Sequence, residues 1–159
     1  MDQDFRLKGF CCGFRMIMEK KDIISKLPYS KPFLFVDEII RIDEDGVEGV
    51  YTFDENLDFY KGHFKENPVT PGVILTEVMA QIGLVCLGIF LLNEKRNLNS
   101  IIALTSTSIE FLKPVFPNEK VTVISKKIYF RFGKLKCEVS MKNEKEEIVC
   151  SGIIAGMMV

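Results

Sequence analysis

The segment Val73–Leu92, with the sequence VILTEVMAQIGLVCLGIFLL, decides the fold. Its residues are apolar on nearly every face, which predicts one long helix that is buried on all sides. Two polar side chains, Glu77 and Gln81, interrupt this apolar run. Because they are four residues apart, they lie on the same helical face and within hydrogen-bonding reach of each other.

Glu77 is unusual in such surroundings. An ionised carboxylate in an apolar environment is costly, so it must either bind hydrogen-bond donors or keep its proton. A carboxyl group held in one orientation by Gln81 has the properties that a general acid requires. The alternative is a glutamate that is paired for structural reasons alone.

The only histidine of the chain, His63, precedes Glu77 by fourteen residues. A neutral imidazole can remove a proton at working pH. Pro71 and Gly72 mark the start of the helix, where unpaired amides and the helix dipole would stabilise an oxyanion. A base, an acid and an oxyanion site in one segment suit removal of a proton next to a thioester carbonyl, followed by loss of a β-hydroxyl. A histidine near a turn is otherwise more often structural or exposed.

Six further segments carry strand-like runs or alternation of apolar residues. They are residues 33–40, 47–53, 101–111, 120–130, 135–141 and 148–158. Gly133 and the stretch 143–146 are typical of hairpin connections. At 159 residues and 47% apolar content, the chain suits a single domain with a proper core. We therefore predict an α+β domain with one long helix.

Charge, cysteine content and hydropathy argue against several other classes of protein. A net charge of -1, from 21 basic and 22 acidic side chains, gives no electrostatic case for nucleic-acid binding. The five cysteines are odd in number and lack metal-site spacing, which favours a reducing cytoplasm over a disulfide framework or a zinc site. Because Glu77 and Gln81 interrupt the apolar run, we expect it to fall short of the roughly 20 residues of a membrane span.

Several short motifs occur in a fixed order along the chain. They are LPYSKPFLFVD at 27–37, GHF at 62–64, NPV at 67–69, PGV at 71–73, Glu77 with Ala80-Gln81, and FLKPVFP at 111–117. In order and spacing they resemble the FabZ-type 3-hydroxyacyl-acyl carrier protein dehydratases. The resemblance runs from about Leu27 to the C-terminus. It implies a hotdog fold, in which a curved antiparallel sheet wraps a long helix and two copies dimerise through their sheets.

The resemblance also implies roles for individual residues. It makes His63 the catalytic base, Glu77 the catalytic carboxylate and Gly72 the residue whose amide binds the thioester carbonyl. The further residues expected to bind the oxyanion or substrate are Gln81, Phe64 and Val73. In the family, the histidine of one protomer faces the carboxylate of its partner across the dimer interface. The apolar residues Phe64, Val69, Ile74, Met79 and Phe111 are either core or the wall of an acyl tunnel.

The implied reaction is reversible dehydration of a (3R)-3-hydroxyacyl thioester to the trans-2-enoyl thioester, without metal or cofactor. Its substrate is carried on the phosphopantetheine arm of an acyl carrier protein, in fatty-acid or related lipid, polyene or polyketide biosynthesis. Glutamate at position 77, where isomerising relatives usually have aspartate, favours dehydration alone. The expected assembly is a homodimer in the cytoplasm, with a trimer of dimers as a larger alternative.

Some positions depart from the family pattern. Tyr29-Ser30 stands where many members have His-Arg, and Lys65-Glu66 stands where Pro-Gly is common. Both pairs adjoin the expected site entrance, so they bear on acyl-chain length and carrier docking rather than on the reaction. Two other functions stay open, an acyl thioesterase and an acyl-binding partner subunit of a heteromeric dehydratase. Residues 1–20 lie outside the resemblance and form an N-terminal extension of uncertain role, before the predicted hotdog domain at 21–159.

Overall fold

The computed structural model describes residues 18–94 and 101–159, without the side chains of residues 93 and 94. These residues form one antiparallel sheet of six strands around a long helix. In chain order the strands are β1 Glu38–Ile42, β2 Gly46–Thr52, β3 Ile102–Phe111, β4 Lys120–Arg131, β5 Lys134–Lys142 and β6 Ile148–Met158. They are arranged in the order β1-β2-β4-β5-β6-β3, which leaves β1 and β3 as the edge strands. The predicted α+β architecture is confirmed.

The central helix joins three consecutive pieces into one rod. They are α2 Gly72–Ala80, a π-helical segment Gln81–Cys86, and α3 Leu87–Glu94. The π-helical segment is fully buried, and the hydroxyl of Ser125 on β4 donates a hydrogen bond of 2.7 Å to the carbonyl of Gly83 within it. A Cβ added at Gly83 would lie 2.9 Å from Val139 Cγ1. Glycine at this position therefore lets the sheet pack directly against the helix backbone.

The expectation that the apolar run falls short of a membrane span is wrong in length and composition. The 21 residues of Gly72–Leu92 have a mean hydropathy of 2.1 and by length and composition alone could cross a membrane. However, 67% of this apolar stretch is buried inside the protein. Burial by the sheet is typical of the core helix of a globular protein, and such a helix can be as long and as apolar as a membrane span.

The predicted strand at 33–40 is wrong in its first half, because β1 begins only at Glu38. The carbonyl of Phe33 and the amide of Phe35 each form a hydrogen bond of 2.8 Å with the side chain of Gln81. Those backbone groups are occupied by a helix side chain and cannot join a ladder. Pairing with β2 starts at Asp37, whose amide donates to the carbonyl of Val50 at 2.9 Å.

The two predicted hairpin connections are confirmed. Between the paired residues Arg131 and Lys134, Phe132 and Gly133 have φ values of 52° and 72°. Two consecutive residues with positive φ are what a tight two-residue hairpin requires. In the connection from β5 to β6, the side-chain carbonyl of Asn143 accepts from two backbone amides, both at 3.0 Å.

A short helix precedes the sheet and was not predicted. Helix α1, Lys20–Ser25, places Ile23 in the core with no exposed surface. The predicted N-terminal extension, residues 1–20, lies outside the described residues except for its last three. Its boundary with the domain stays a prediction.

Candidate active site

The loop that carries His63 holds it through backbone contacts on both sides. A 3-10 helix, Asp58–Lys61, leads into the loop, and the carbonyl of Phe59 accepts from the His63 amide at 3.0 Å. The amide of Val69 donates to the His63 carbonyl, also at 3.0 Å. In the other direction, the carbonyl of Val69 is 2.8 Å from Nδ1 of the imidazole. Two bonds between the same two residues fix both the backbone and the ring.

The contact with Val69 determines which nitrogen of His63 can act as a base. A carbonyl oxygen only accepts hydrogen bonds, so the contact requires a proton on Nδ1. In the neutral ring, Nε2 then carries the free lone pair. Nε2 has no hydrogen-bond partner within residues 18–94 and 101–159, and the side chain is partly exposed. The ring is oriented to receive a proton on Nε2.

A buried hydroxyl pair fastens this loop to the rest of the domain. The hydroxyls of Tyr60 and Thr70 are 2.6 Å apart, and both residues are buried. The amide of Thr70 also donates to the carbonyl of Val115 at 2.8 Å. The loop therefore has a fixed end just before the central helix. Sequence reasoning missed this pair, because only the closed loop brings the two residues together.

Glu77 is half-buried on α2, and its side chain is oriented by Gln81. The Nε2 of Gln81 donates a hydrogen bond of 2.8 Å to Oε1 of Glu77, as the spacing along the helix predicts. Oε2 of Glu77 has no hydrogen-bond partner within the described residues. One carboxylate oxygen is thus held by the protein, and the other is left for a substrate.

The orientation of the Gln81 amide is itself imposed by the backbone around it. The amide of Phe35 can only donate, so the oxygen of Gln81 must face it at 2.8 Å. The nitrogen then points towards two acceptors, the carbonyl of Phe33 at 2.8 Å and Glu77 at 2.8 Å. Gln81 is fully buried and both of its polar atoms are satisfied. The segment before β1 therefore orients the Glu77 side chain on the helix through Gln81, which the sequence did not reveal.

Gly72 begins the central helix and presents unpaired backbone amides. The amides of Ile74 and Leu75 donate to the carbonyl of Pro71 at 2.9 and 3.1 Å. Those of Gly72 and Val73 have no acceptor in the described part of the chain, and no side chain caps this helix end. Together with the positive end of the helix dipole, two free amides can bind an oxyanion.

The apolar side chains near this end of the helix differ in how much of their surface is exposed. Phe64 is 59% exposed, Val73 is 76% exposed, and the half-exposed ring of Phe111 lies over Gly72. Met79, in contrast, has no exposed surface and its sulfur lies 3.2 Å from that of Cys150. Met79 is therefore a core residue in this protomer, whereas Phe64, Val73 and Phe111 remain free to contact a ligand or a second chain.

The structure places the predicted site residues on two neighbouring elements. Gly72, Val73, Glu77 and Gln81 follow one another along the helix, and His63 and Phe64 lie in the loop before it. No hydrogen bond or ion pair between described residues joins His63 to Glu77. Within the same residues, no group of three or more His, Cys, Asp and Glu side chains is arranged to hold a metal ion.

Known proteins resemble this chain in both sequence and fold. Residues 27–150 match the FabA-like domain family. A 3-hydroxyacyl-[acyl-carrier-protein] dehydratase FabZ from Wolbachia pipientis subsp. Culex pipiens is 34% identical over 138 residues, covering 84% of this chain and 92% of that protein. The enzyme of the same description from Caldicellulosiruptor bescii is 32% identical over 133 residues, covering 82% of this chain and 91% of that protein.

Solved structures share the fold at much lower identity. The dehydratase heterocomplex ApeI:P from Xenorhabdus doucetiae aligns with a TM-score of 0.72 at 12% identity, covering 86% of this chain and 90% of that chain. The thioesterase HI1161 from Haemophilus influenzae aligns with a TM-score of 0.58 at 17% identity, covering 77% of each chain. The family match and the sequence relatives, which extend over most of the chain, are more specific than this shared fold. The chain therefore belongs to the FabA-like family and, within it, to the FabZ-type 3-hydroxyacyl-acyl carrier protein dehydratases.

Proposed function

We propose that the protein is a hydro-lyase that interconverts a (3R)-3-hydroxyacyl thioester and the trans-2-enoyl thioester. The substrate is carried on an acyl carrier protein, which the descriptions of the sequence relatives name for those enzymes, and it is attached there through the phosphopantetheine arm. The observation that carries the mechanism is the bond from Nδ1 of His63 to the Val69 carbonyl, which leaves Nε2 as a base. Cytoplasmic fatty-acid or related lipid synthesis is the corresponding setting.

In the proposed mechanism, Nε2 of His63 removes a proton from C2 of the substrate. The unpaired amides of Gly72 and Val73 bind the carbonyl oxygen, on which negative charge develops. Glu77 donates a proton from Oε2 to the 3-hydroxyl group, and the C3–O bond breaks as the C2–C3 double bond forms. The oxygen leaves as water, and proton exchange with solvent restores both side chains.

We further propose that the active unit is a homodimer. The edge strand β3 is mostly exposed, and a long edge strand with free backbone groups is a natural pairing site for another chain. Exposed apolar side chains extend the same surface, namely Val73, Leu104, Phe111 and Leu112. Within the described residues of one chain, no hydrogen bond or ion pair joins His63 to Glu77, which supports a site shared between protomers. A trimer of dimers is the alternative assembly.

The reaction can be tested by following enoyl formation and thiol release in parallel. Short- and medium-chain 3-hydroxyacyl thioesters, each on acyl carrier protein and on coenzyme A, are the substrates. We expect enoyl product without thiol release, and faster turnover on the carrier protein. Thiol release without enoyl product would replace the proposal with a thioesterase, and no product at all would favour a subunit that needs a partner.

The assigned residues can be tested by substitution. We expect His63→Ala and Glu77→Gln each to lower kcat by about 10²- to 10⁴-fold, the range typical of a general acid or base. The matched control is Glu144→Gln, the same chemical change at an exposed position in the connection from β5 to β6. Circular dichroism would check that all three variants are folded. Substantial turnover in either site variant would contradict the mechanism.

The shared site makes a sharper prediction for mixed dimers. In a heterodimer of His63→Ala and Glu77→Gln chains, one site loses both groups and the other keeps an intact His63 and Glu77. Random reassembly of equal amounts should therefore restore about a quarter of the wild-type activity, since half of the dimers carry one working site of two. A site contained within one protomer would give no recovery.

A further inference from the structure

A row of aromatic rings runs from the segment before β1 into β2. The centroids of Tyr29 and Phe33 are 6.1 Å apart, and those of Phe33 and Phe35 are 5.2 Å apart. The row continues to Tyr51 at 5.5 Å and from there to Phe53 at 5.0 Å. It therefore contains two tyrosines: Tyr29, half-buried at one end of the row, and Tyr51, buried in β2.

Packing links Tyr29 to the carboxylate of the candidate site through Phe33 and Gln81. Its ring contacts Phe33, whose carbonyl accepts from Nε2 of Gln81, and the same nitrogen donates to Glu77. Tyr29 is half-buried, yet its hydroxyl has no hydrogen-bond partner within the described residues. The hydroxyl of Tyr60, in contrast, is bonded to Thr70. A donor at the edge of the site without a protein partner is available to a ligand.

The electrostatic surroundings keep this hydroxyl protonated. Burial raises the pKa of the Tyr29 phenol, and Glu77 raises it further once it has given up its proton and carries a negative charge. At neutral pH the group is therefore a hydrogen-bond donor and not an acid that takes part in proton transfer.

We propose that Tyr29 positions the substrate by donating a hydrogen bond to its 3-hydroxyl oxygen, next to Oε2 of Glu77. The inference rests on the proposed dehydratase function. One lone pair of the departing oxygen receives the proton from Glu77, and the other accepts the bond from Tyr29. The phenol keeps its own proton, and its bond strengthens as negative charge builds up on the oxygen during C3–O cleavage. Tyr29 thereby selects acyl chains that carry a 3-hydroxyl group.

The test compares Tyr29→Phe with Tyr51→Phe, which remove the same hydroxyl from two members of the aromatic row. For each variant, kcat and KM are measured with a 3-hydroxyacyl thioester, together with the inhibition constant of the saturated acyl thioester of equal length. We expect Tyr29→Phe to lower kcat/KM by about tenfold, mainly through kcat, as for loss of one hydrogen bond. The inhibition constant of the saturated compound should stay within about twofold, because it has no 3-oxygen to bind.

Tyr51→Phe should leave all three constants within about twofold of wild type, because the Tyr51 ring contacts Phe35 and Phe53 and, among the described residues, its hydroxyl makes no hydrogen bond to Glu77 or Gln81. Unchanged kcat/KM in Tyr29→Phe would overturn the inference, as would equally weakened binding of the hydroxylated and saturated compounds. An equal loss in Tyr51→Phe would also overturn it, since the effect would then follow the aromatic row. Absence of enoyl product from the wild-type enzyme would instead defeat the proposed function itself, so the two failures are distinguishable.

Discussion

The His63 loop and the Glu77 face of the central helix are held in place by different means. The ring of His63 is oriented by Val69, only six residues away in the chain. The side chain of Gln81, which orients Glu77, is fixed by backbone groups 46 and 48 residues away. The His63 loop therefore depends on local contacts, whereas the Glu77 face of the helix depends on the packing of the distant segment that contains Phe33 and Phe35. Substitutions should separate the two parts of the site by their effects on stability.

The largest expected effect on stability is that of Gln81→Leu. The change leaves the Phe35 amide and the Phe33 carbonyl without their partners at the edge of the core, and it frees Glu77. Since each unpaired buried polar group costs about 1–3 kcal/mol, we expect the free energy of unfolding to fall by about 2–5 kcal/mol. Urea denaturation would measure the loss, and activity should fall with it.

A matched control for this change is Met79→Leu, two residues earlier on the same helix and, like Gln81, without exposed surface. It alters the shape of an apolar side chain without removing a hydrogen bond, so it should cost less than about 1.5 kcal/mol. If Gln81→Leu were no more destabilising than Met79→Leu, the helix face would not depend on the distant segment, and the contrast with the loop would be lost.

Alkaline pH should affect the helix side of the site through Cys86. Burial raises the pKa of this thiol to about 12 from 9.0. A group whose pKa is raised by folding stabilises the folded state below its unfolded value, and this stability is lost as pH rises from about 9 to about 12. At pH ~10.5 the loss from one such thiol is about 2 kcal/mol. Comparing wild type with Cys86→Ala by denaturation at several pH values isolates this term, and parallel pH profiles would contradict it.

The His63 loop should respond to Thr70→Val with a smaller loss of stability. The variant keeps the shape of the side chain but removes the buried bond to Tyr60. We expect the free energy of unfolding to fall by about 1–2 kcal/mol. We also expect a drop in kcat that is not explained by global destabilisation of the kind caused by Gln81→Leu. In the double variant with Tyr60→Phe, the two effects should fall well short of additive, because both changes break the same bond. Full additivity in the denaturation data would mean that the two hydroxyls do not stabilise the loop through a shared hydrogen bond.

The contrast also shows what could be predicted from the sequence. The central helix and the Glu77–Gln81 bond follow from local spacing, since positions four apart always share a helical face. The start of β1 could not be predicted, because Phe33 and Phe35 carry the apolar pattern of a strand while their backbone binds a side chain of the helix. Apolar periodicity reports which side chains are buried and does not report where backbone groups find partners.

The same limit applies to the His63 loop. A single histidine marks a candidate base, but the nitrogen that carries the lone pair depends on the carbonyl of Val69. The Tyr60–Thr70 bond likewise arises only once the loop has closed. Shape-dependent contacts of this kind are set by tertiary structure, and no spacing along the chain encodes them.

The smallest expected effect on stability is that of Gly72→Ala, which we compare with Gly83→Ala in the same helix. A Cβ added at Gly72 would lie 3.2–3.4 Å from atoms of the Phe111 ring, which is half-exposed and free to turn. One added at Gly83 would lie 2.9 Å from Val139 and 3.1 Å from Ser125, inside the core. We expect Gly72→Ala to change the free energy of unfolding by less than about 1 kcal/mol, because alanine also favours the helix.

Gly83→Ala should cost about 1–3 kcal/mol, as overpacking of a core does. In activity, Gly72→Ala should still lower kcat/KM, since the methyl group obstructs the approach of the thioester carbonyl to the free amides. Denaturation and kinetics of the two variants would show whether this helix serves substrate binding at its first residue and packing at its twelfth. Equal destabilisation by Gly72→Ala and Gly83→Ala would mean that Gly72 is required for the fold. Another group in the site would then have to bind the oxyanion.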